Sequence, residues 1–342
     1  MAATETDLAG DEQRALREGC GLLDRSERGK LALTGGGALE FLNGQVTNEL
    51  ADLRAGEGRY AAFLTVKGKM LGDVRILAVS APGDQADEQG PPTELLLDTE
   101  RTALQALFDM VRRYKIGFDV ELHKRTLERG MLSLIGPAAL PALGDDGSAA
   151  QAGGVGRLAG APEHANARVS VDGVAALAVR TDVGVDLICD ALDTARLASA
   201  LVERGARAVS AQAAECLRVE SGRPRFGVDM DDTTIPQEAG LNERAVSFTK
   251  GCYVGQETVA RLYYKGKPNR HLRGLRLSAP ATTGEELRLG ERSVGHIGSA
   301  VVSPTLGPIA LALVRREAEP GASVTVGEPG ATAVVVELPF GV

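Results

Sequence analysis

The stretch 249-TKGCYVGQETVARLYYKG-266 places one cysteine, Cys252, among glycines, basic residues and three tyrosines. Glycines surround the start of its apolar-periodic part and a Gly-Lys-Pro sequence closes it, which predicts a helix over residues 254–264. Cys252 then lies at the N-terminal end of this helix, where the helix dipole and Lys250 favour the thiolate over the thiol. The competing interpretation is that Cys252 is a small buried side chain that fills a tight turn.

The composition of the whole chain bounds the class of protein. A length of 342 residues exceeds one ordinary domain, and 44% hydrophobic with 25% charged residues is typical of globular proteins. No apolar run approaches the roughly 20 residues of a membrane helix, and the acidic N-terminus resembles no targeting segment. We therefore expect a cytoplasmic protein without a membrane partner. The net charge of −8 argues against a nucleic-acid partner.

The cysteines lack the spacing of a zinc or iron–sulfur site, so no resident metal is expected. In a reducing compartment they are predicted to be free thiols. The four of them are Cys20, Cys189, Cys216 and Cys252.

The chain mixes strands and helices before Pro268 and is rich in short β-runs after it. A helix in the N-terminal part is predicted to reach Val46, and two strands joined through residues 67–69 are predicted to form a hairpin. Stretches rich in Gly, Pro, Ala and acidic residues, at residues 81–93 and about 144–166, are predicted to be loops. The β-runs after Pro268 predict a small barrel.

A second group of polar residues lies in 217-LRVESGRPRFGVDMDDTTIPQEAGL-241. Glu220 follows an apolar run and precedes a glycine, as a carboxylate at the end of a strand or helix facing a cavity would. Such a carboxylate complements a ligand edge with two adjacent N–H donors, like that of a reduced pterin. The acidic run of Asp229, Asp231 and Asp232 lacks the glycine and the glutamate of a calcium loop, so it is predicted to be a solvated turn.

The segment 250-KGCYVGQE-257, followed by "AR" at 260–261, resembles the signature of the YgfZ group of folate-binding proteins. That group is related to the T protein (aminomethyltransferase) of the glycine cleavage system and to a mitochondrial iron–sulfur assembly factor. Nearly the whole chain shares the resemblance. Further similar segments are 41-FLNGQVTNEL-50, 61-AAFLTVKGKML-71 and 294-VGHIGSAVVSPTLGPIALALVRRE-317.

The resemblance implies an α+β fold, an aminomethyltransferase-like three-part ring around a folate cavity, with a C-terminal β-barrel. It divides the chain into a folate-binding region, residues 1–267, and a barrel domain, residues 268–342. Within the first region it implies one subdomain of about residues 1–55 with 131–267, and an inserted subdomain of residues 56–130.

The same resemblance implies that the cofactor is tetrahydrofolate or a one-carbon derivative. It also implies that the protein assists assembly or repair of iron–sulfur clusters, with the assembly machinery or client iron–sulfur enzymes as partners. Cys252 is the thiol expected to carry the activity. The residues expected to bind the cofactor are Glu220, Lys250, Tyr253, Gln256, Glu257 and Arg261.

The alternative function is that of a folate-dependent aminomethyl or one-carbon transferase, which needs a base or an electrostatic partner near the N5–N10 edge of the folate. Where the T protein has an asparagine-rich strand end and a catalytic aspartate, this chain has 94-ELLLDTERTALQAL-107, without asparagine. The chain also has no tryptophan to stack on the pterin. Tyr253, Phe248, Phe41, Tyr60 or apolar packing is expected to replace it.

Overall fold

The secondary structure comes from a computed structural model that describes residues 5–80, 90–144, 152–327 and 330–341. The α-helices are α1 (Glu5–Glu18), α2 (Ala38–Asn43), α3 (Leu104–Tyr114), α4 (Ala152–Leu158), α5 (Thr194–Glu203), α6 (Ala211–Glu220), α7 (Asn242–Ala245) and α8 (Gln256–Lys265). Short 3-10 helices span Pro141–Leu143 and Ala191–Asp193. Within the described residues, no helix is both long and apolar enough to cross a membrane.

The strands precede, separate and follow these helices along the chain. They are β1 (Gly21–Asp24), β2 (Gly29–Thr34), β3 (Gly58–Leu64), β4 (Met70–Val79), β5 (Glu94–Thr99), β6 (Glu121–Lys124), β7 (Arg129–Ile135), β8 (Asn166–Val171), β9 (Val174–Arg180), β10 (Gly184–Asp190), β11 (Arg207–Ala208), β12 (Arg270–Leu277), β13 (Glu286–Leu289), β14 (Arg292–Ser303), β15 (Gly307–Arg315), β16 (Ser323–Val326) and β17 (Ala331–Val336).

The chain forms two compact units, each assembled from separate segments. The first unit consists of Met1–Asn43, Leu50–Tyr60 and Val74–Ala214. The second consists of Gly44–Glu49, Ala61–Asp73 and Glu215–Val342. The domain boundaries expected from the sequence stay a prediction.

Two sheets account for most of the first unit. One has the strand order β11-β1-β7-β10-β9-β8, and the other has the order β3-β4-β5-β2-β6. In the first sheet β1 pairs with β7, with Leu22 opposite Leu134, although β2 to β6 lie between these strands in sequence. The second sheet is therefore an insertion in the chain that builds the first.

Apolar side chains hold the two sheets together. Leu96 of the second sheet and Ile188 of the first belong to one buried cluster. Leu158 of α4 and Leu197 of α5 belong to another cluster with residues of the first sheet. β10 is buried at six of its seven positions, as expected for a strand with both faces covered.

Asp98 of β5 is a fully buried carboxylate in this unit. Arg28 Nε and Nη2 donate to it at 2.7 and 3.0 Å, and Arg75 Nε donates at 2.6 Å. Arg75 also donates to Asp186 of β10 at 2.5 Å. Burial alone raises the pKa of Asp98, but Arg28 and Arg75 outweigh burial and hold the pKa well below its usual range. This carboxylate therefore stays ionised and is committed to two guanidinium groups.

The second unit contains a closed barrel with the strand order β12-β15-β14-β13-β16-β17. Strand residues alternate between the barrel interior and its outside, and Leu275 and Val335 are among those in the buried cluster. α6 packs against this barrel, because its Val219 shares a second cluster with Leu272 and Phe340. The barrel predicted after Pro268 is confirmed.

Some local predictions from the sequence are wrong. The helix expected to reach Val46 ends at Asn43, because the next residues bond to β3: Thr47 N donates to Ala62 O at 3.0 Å. The stretch 144–166 contains α4 rather than only a loop, since Leu158 supplies a buried apolar anchor. In the predicted loop 81–93, residues 81–89 lie outside the described part of the chain.

Candidate functional site

Cys252 is exposed, whereas the other three cysteines are buried. It lies in a non-helical segment, and α8 begins only at Gln256, four positions later. The prediction that a helix starts at Val254 with Cys252 at its end is therefore wrong. The field of a helix dipole falls off within the first turn, so it gives no reason for a reactive Cys252. The interpretation of Cys252 as a buried turn residue is wrong as well.

Gly255 directs the chain from this segment into α8. Its φ of 85° lies in the left-handed region, which glycine adopts without a steric cost. A Cβ at this position would lie 2.6 Å from the carbonyl oxygen of Thr65. The glycine therefore permits both the turn and the close approach of the 65–69 turn.

Lys250 is buried, with 7% of its surface exposed. Its Nζ donates to the carbonyl oxygens of Val46 at 2.9 Å and Asn48 at 2.6 Å. Nζ also lies 5.3 Å from the centre of the Tyr253 ring. Burial lowers the pKa of Lys250 to about 8, against the opposing effect of Glu49. The ammonium group therefore points to backbone carbonyls of the segment Gly44–Glu49.

The segment Gly44–Glu49 lies between β3 and the residues before α8. Thr47 Oγ1 donates to Ala245 O at 2.5 Å, and Ser247 N donates to Thr47 O at 2.9 Å. Val254 N donates to Gly44 O at 3.3 Å. Segments distant in sequence thus build the surroundings of Cys252.

The remaining signature residues lie just before α8 or within it. Tyr253 is buried, and burial raises the pKa of its hydroxyl to about 12. Gln256 is half-buried, and Glu257 and Arg261 are exposed. Glu257 and Arg261 are thus accessible to a ligand, and the cofactor role of all four stays a prediction.

Glu220 is the last residue of α6 and is half-buried. Its Oε1 accepts hydrogen bonds from Ser303 Oγ at 2.5 Å and from Cys216 Sγ at 3.6 Å. Ser303 and Cys216 therefore hold this carboxylate at the end of α6. Its role at a pterin edge stays a prediction.

Asp229 does not lie in a solvated turn, and that prediction is wrong. The carboxylate is buried and accepts from Ser299 N at 2.8 Å, Arg218 Nη1 at 2.9 Å and Arg225 N at 2.9 Å. A Cβ on Gly298 would lie 2.6 Å from its Oδ1, so a glycine is needed there. Asp229 is thus a structural carboxylate, which connects Arg218 of α6 to Ser299 of β14 by hydrogen bonds.

The other two acids of that run differ from Asp229. Asp231 accepts from the hydroxyls of Thr233 at 2.7 Å and Thr234 at 3.0 Å, and Asp232 is exposed, as predicted. Asp229 and Asp231 line a cleft of about 390 Å³ together with Arg270 and residues of β14 and β15. The cleft is therefore lined by side chains of both charges. Its Arg270 also donates a hydrogen bond to Glu238 at 2.9 Å.

The aromatic side chains expected to replace tryptophan have different surroundings. Phe248 stacks on Tyr263 with ring centres 3.7 Å apart. Phe41 is fully buried, and Tyr253 is buried beneath Lys250. Tyr60 is half-buried. Stacking of any of them on a pterin stays a prediction.

The fold is similar to that of a solved aminomethyltransferase. A crystal structure of the glycine cleavage system aminomethyltransferase T from Bartonella henselae superposes with a TM-score of 0.80 at 24% identity, covering 97% of this chain and 89% of that one. The fold is therefore the α+β fold of aminomethyltransferase T, with its C-terminal barrel.

Sequence comparisons give the family. Residues 3–250 match the GCVT N-terminal domain, and residues 270–340 match the glycine cleavage T-protein C-terminal barrel domain. A protein named aminomethyltransferase from Streptomyces avermitilis is 31% identical, over 99% of this chain and 94% of its own length. One of the same name from Thermotoga petrophila is 30% identical, over 96% and 88%. The chain belongs to the glycine cleavage T-protein family.

Sequence reasoning missed the segment Gly44–Glu49 as part of the surroundings of Cys252. This segment contributes mainly backbone carbonyl oxygens as hydrogen-bond acceptors, and every residue type has such a carbonyl. A signal was available in the sequence, because the family-like segment 41-FLNGQVTNEL-50 contains these residues.

Proposed function

We propose that this chain is a YgfZ-type member of the T-protein family. It binds tetrahydrofolate or a one-carbon derivative and assists assembly or repair of iron–sulfur clusters in client enzymes. Cys252 is its key thiol. The observation that carries the proposal is an exposed Cys252 within the KGCYVGQE signature, in a chain whose other cysteines are buried.

The chemistry of the thiol supports this role. Iron–sulfur clusters are held by cysteine thiolates, usually four of them. A single exposed thiol does not provide a resident site, so its contact with a cluster is shared with residues of a client or an assembly protein. The cluster is thus cargo, and bound tetrahydrofolate would supply a carrier of one-carbon units.

The C-terminal end of α8, the helix that follows the Cys252 loop, supports a protein partner. Tyr263 and Tyr264 of α8 are 51% and 66% exposed, and Lys265 is exposed beside them. Exposed aromatic residues are enriched at protein interfaces. Client enzymes or the assembly machinery are therefore the proposed partners.

The test is complementation of cells that lack their own YgfZ-type protein. Activity of a cluster-dependent dehydratase is measured after expression of the wild type, Cys252→Ala or Cys20→Ala. We expect restored activity with the wild type and with Cys20→Ala, which removes a buried thiol, and loss with Cys252→Ala at equal protein levels. Equal activity of all three variants would remove Cys252 from the proposal.

A folate-dependent aminomethyl transferase is a second candidate, because the relatives at 30–31% identity are named aminomethyltransferase. Against it, Asp98 in the strand ELLLDT is held by two arginines and buried, so it is not free to act as a base. Incubation with tetrahydrofolate and a lipoyl-linked aminomethyl donor distinguishes the candidates. Formation of methylene-tetrahydrofolate would favour the transferase.

A further inference from the structure

The loop that carries Cys252 is fastened on both sides to one segment. Before the cysteine, Lys250 Nζ donates to Val46 O and Asn48 O. After it, Val254 N donates to Gly44 O at 3.3 Å. Both fastenings reach the segment Gly44–Glu49, so the thiol lies on a short loop between them.

The hydrogen bonds before the cysteine that involve Lys250 depend on a buried lysine side chain. Lysines are seldom buried, because removing an ammonium group from water costs free energy unless it is hydrogen-bonded. Lys250 meets that condition with two charge-assisted hydrogen bonds, at 2.9 and 2.6 Å. The Tyr253 ring, 5.3 Å away, adds a favourable cation–π contact. These contacts make the ammonium group a strong local constraint.

We propose that Lys250 is a positioning residue, whose ammonium group binds the Cys252 loop to the segment Gly44–Glu49. It thereby keeps the exposed thiol in one orientation. This role concerns the loop and needs no contact between Lys250 and folate. The proposal rests on the proposed function in one respect, namely that the purpose of an ordered thiol is its contact with a partner.

An ordered loop matters for a thiol that meets a protein partner. Ordering a flexible loop during association costs free energy, and a preordered loop avoids that cost. With its backbone already bonded on both sides, Cys252 reaches a partner without this penalty. Removing the Lys250 ammonium takes away the two side-chain hydrogen bonds nearest to Cys252 on its N-terminal side. The bonds of Ser247 N to Thr47 O and of Val254 N to Gly44 O then lie further from the cysteine or after it.

The test uses a nitroxide spin label attached to Cys252, the exposed cysteine. Its electron paramagnetic resonance spectrum reports loop motion, which falls in the nanosecond range when a loop is free. The variants are Lys250→Met, which keeps the side-chain length, Lys250→Arg, which keeps the charge, and Lys115→Met as control. Lys115 Nζ likewise donates to a carbonyl oxygen, that of Val120 at 2.9 Å, in the other unit.

In Lys250→Met we expect the rotational correlation time of the label to fall by about threefold or more, because residues 248–253 lose the Lys250 hydrogen bonds and gain nanosecond motion. Lys250→Arg should recover most of the loss, and Lys115→Met should match the wild type. A general loss of stability would affect both methionine variants, so it would not give this pattern. An unchanged spectrum in folded Lys250→Met would overturn the proposal.

A second measurement keeps the proposal testable if Lys250→Met does not fold. In the wild type, a peptide covering residues 250–255 should show slowed hydrogen exchange, because both of its flanks are fastened. Exchange as fast as in an unstructured peptide would refute the inference. Neither measurement uses folate or a client enzyme, so failure of the proposed function would leave these results unchanged.

Discussion

Replacing Asp98 by asparagine preserves the shape of a buried side chain but removes the negative charge between Arg28 and Arg75. The carboxylate accepts three hydrogen bonds from these arginines, at 2.6 to 3.0 Å, and is fully buried. Breaking a buried ion pair by removing one partner costs about 3–5 kcal/mol. We expect the lower end, about 3 kcal/mol, because Arg75 keeps Asp186 and Arg28 keeps Glu100 as partners. With a urea m-value of about 2 kcal/mol per molar, the midpoint should fall by about 1.5 M.

Urea unfolding at pH 7, followed by far-UV circular dichroism, measures this loss. The control is Asp11→Asn, which breaks an exposed pair with Arg14 at 3.2 Å and should cost less than about 1 kcal/mol. A loss below about 1 kcal/mol for Asp98→Asn would refute the reasoning.

A second arm of this experiment varies the pH. The folded-state pKa of Asp98 is depressed, so its stabilisation is full above the unfolded pKa and is lost as the pH falls towards the folded one. The difference in stability between wild type and Asp98→Asn should therefore shrink from pH 5 to pH 2. A difference that stays constant over this range would contradict the ionised state of Asp98.

Three other substitutions test the second unit. Glu220→Gln should weaken binding of tetrahydrofolate by about 10-fold or more in calorimetry, because a charged acceptor is lost. The exposed control Glu243→Gln should leave the affinity unchanged, and equal affinities of both variants would exclude the pterin role. The pKa of Lys250 is lowered to about 8 in the folded protein, so the folded state binds fewer protons than the unfolded state between pH 8 and pH 10. The free energy of unfolding of the wild type, measured by urea titration, should therefore rise over this range relative to that of Lys250→Met. Parallel pH profiles would contradict the lowered pKa. Asp229→Asn should cost about 1.5–3 kcal/mol by the same urea assay, because a buried charged acceptor of Arg218 Nη1, Ser299 N and Arg225 N is lost, while Arg218 keeps Glu215. A neutral effect would argue against that pair.

Much of the fold follows from local patterns. The short β-runs after Pro268 predicted the barrel, because regularly spaced apolar strands separated by Gly and Pro are typical of it. The hairpin through residues 67–69 was predicted for the same kind of reason, and β3 and β4 are neighbours in one sheet. The boundary errors arose where long-range bonds replaced local ones, as after Asn43.

The candidate site was only partly predictable, for a physical reason. The signature identified Cys252 and Lys250, but the acceptors of the Lys250 ammonium are carbonyls 204 and 202 residues away in sequence. Every residue type has such a carbonyl, so no sequence pattern marks it. Asp229 shows the same limit, because its partner Ser299 is 70 residues away.

The segment Gly44–Glu49 has a consequence for how this protein can be divided. A fragment that begins at Glu215 contains every barrel strand and the Cys252 loop, yet it lacks the carbonyls that Lys250 binds. During synthesis these carbonyls leave the ribosome about two hundred residues ahead of the lysine. The immediate surroundings of the thiol are thus completed late in translation, and they require two segments about 200 residues apart in the same polypeptide.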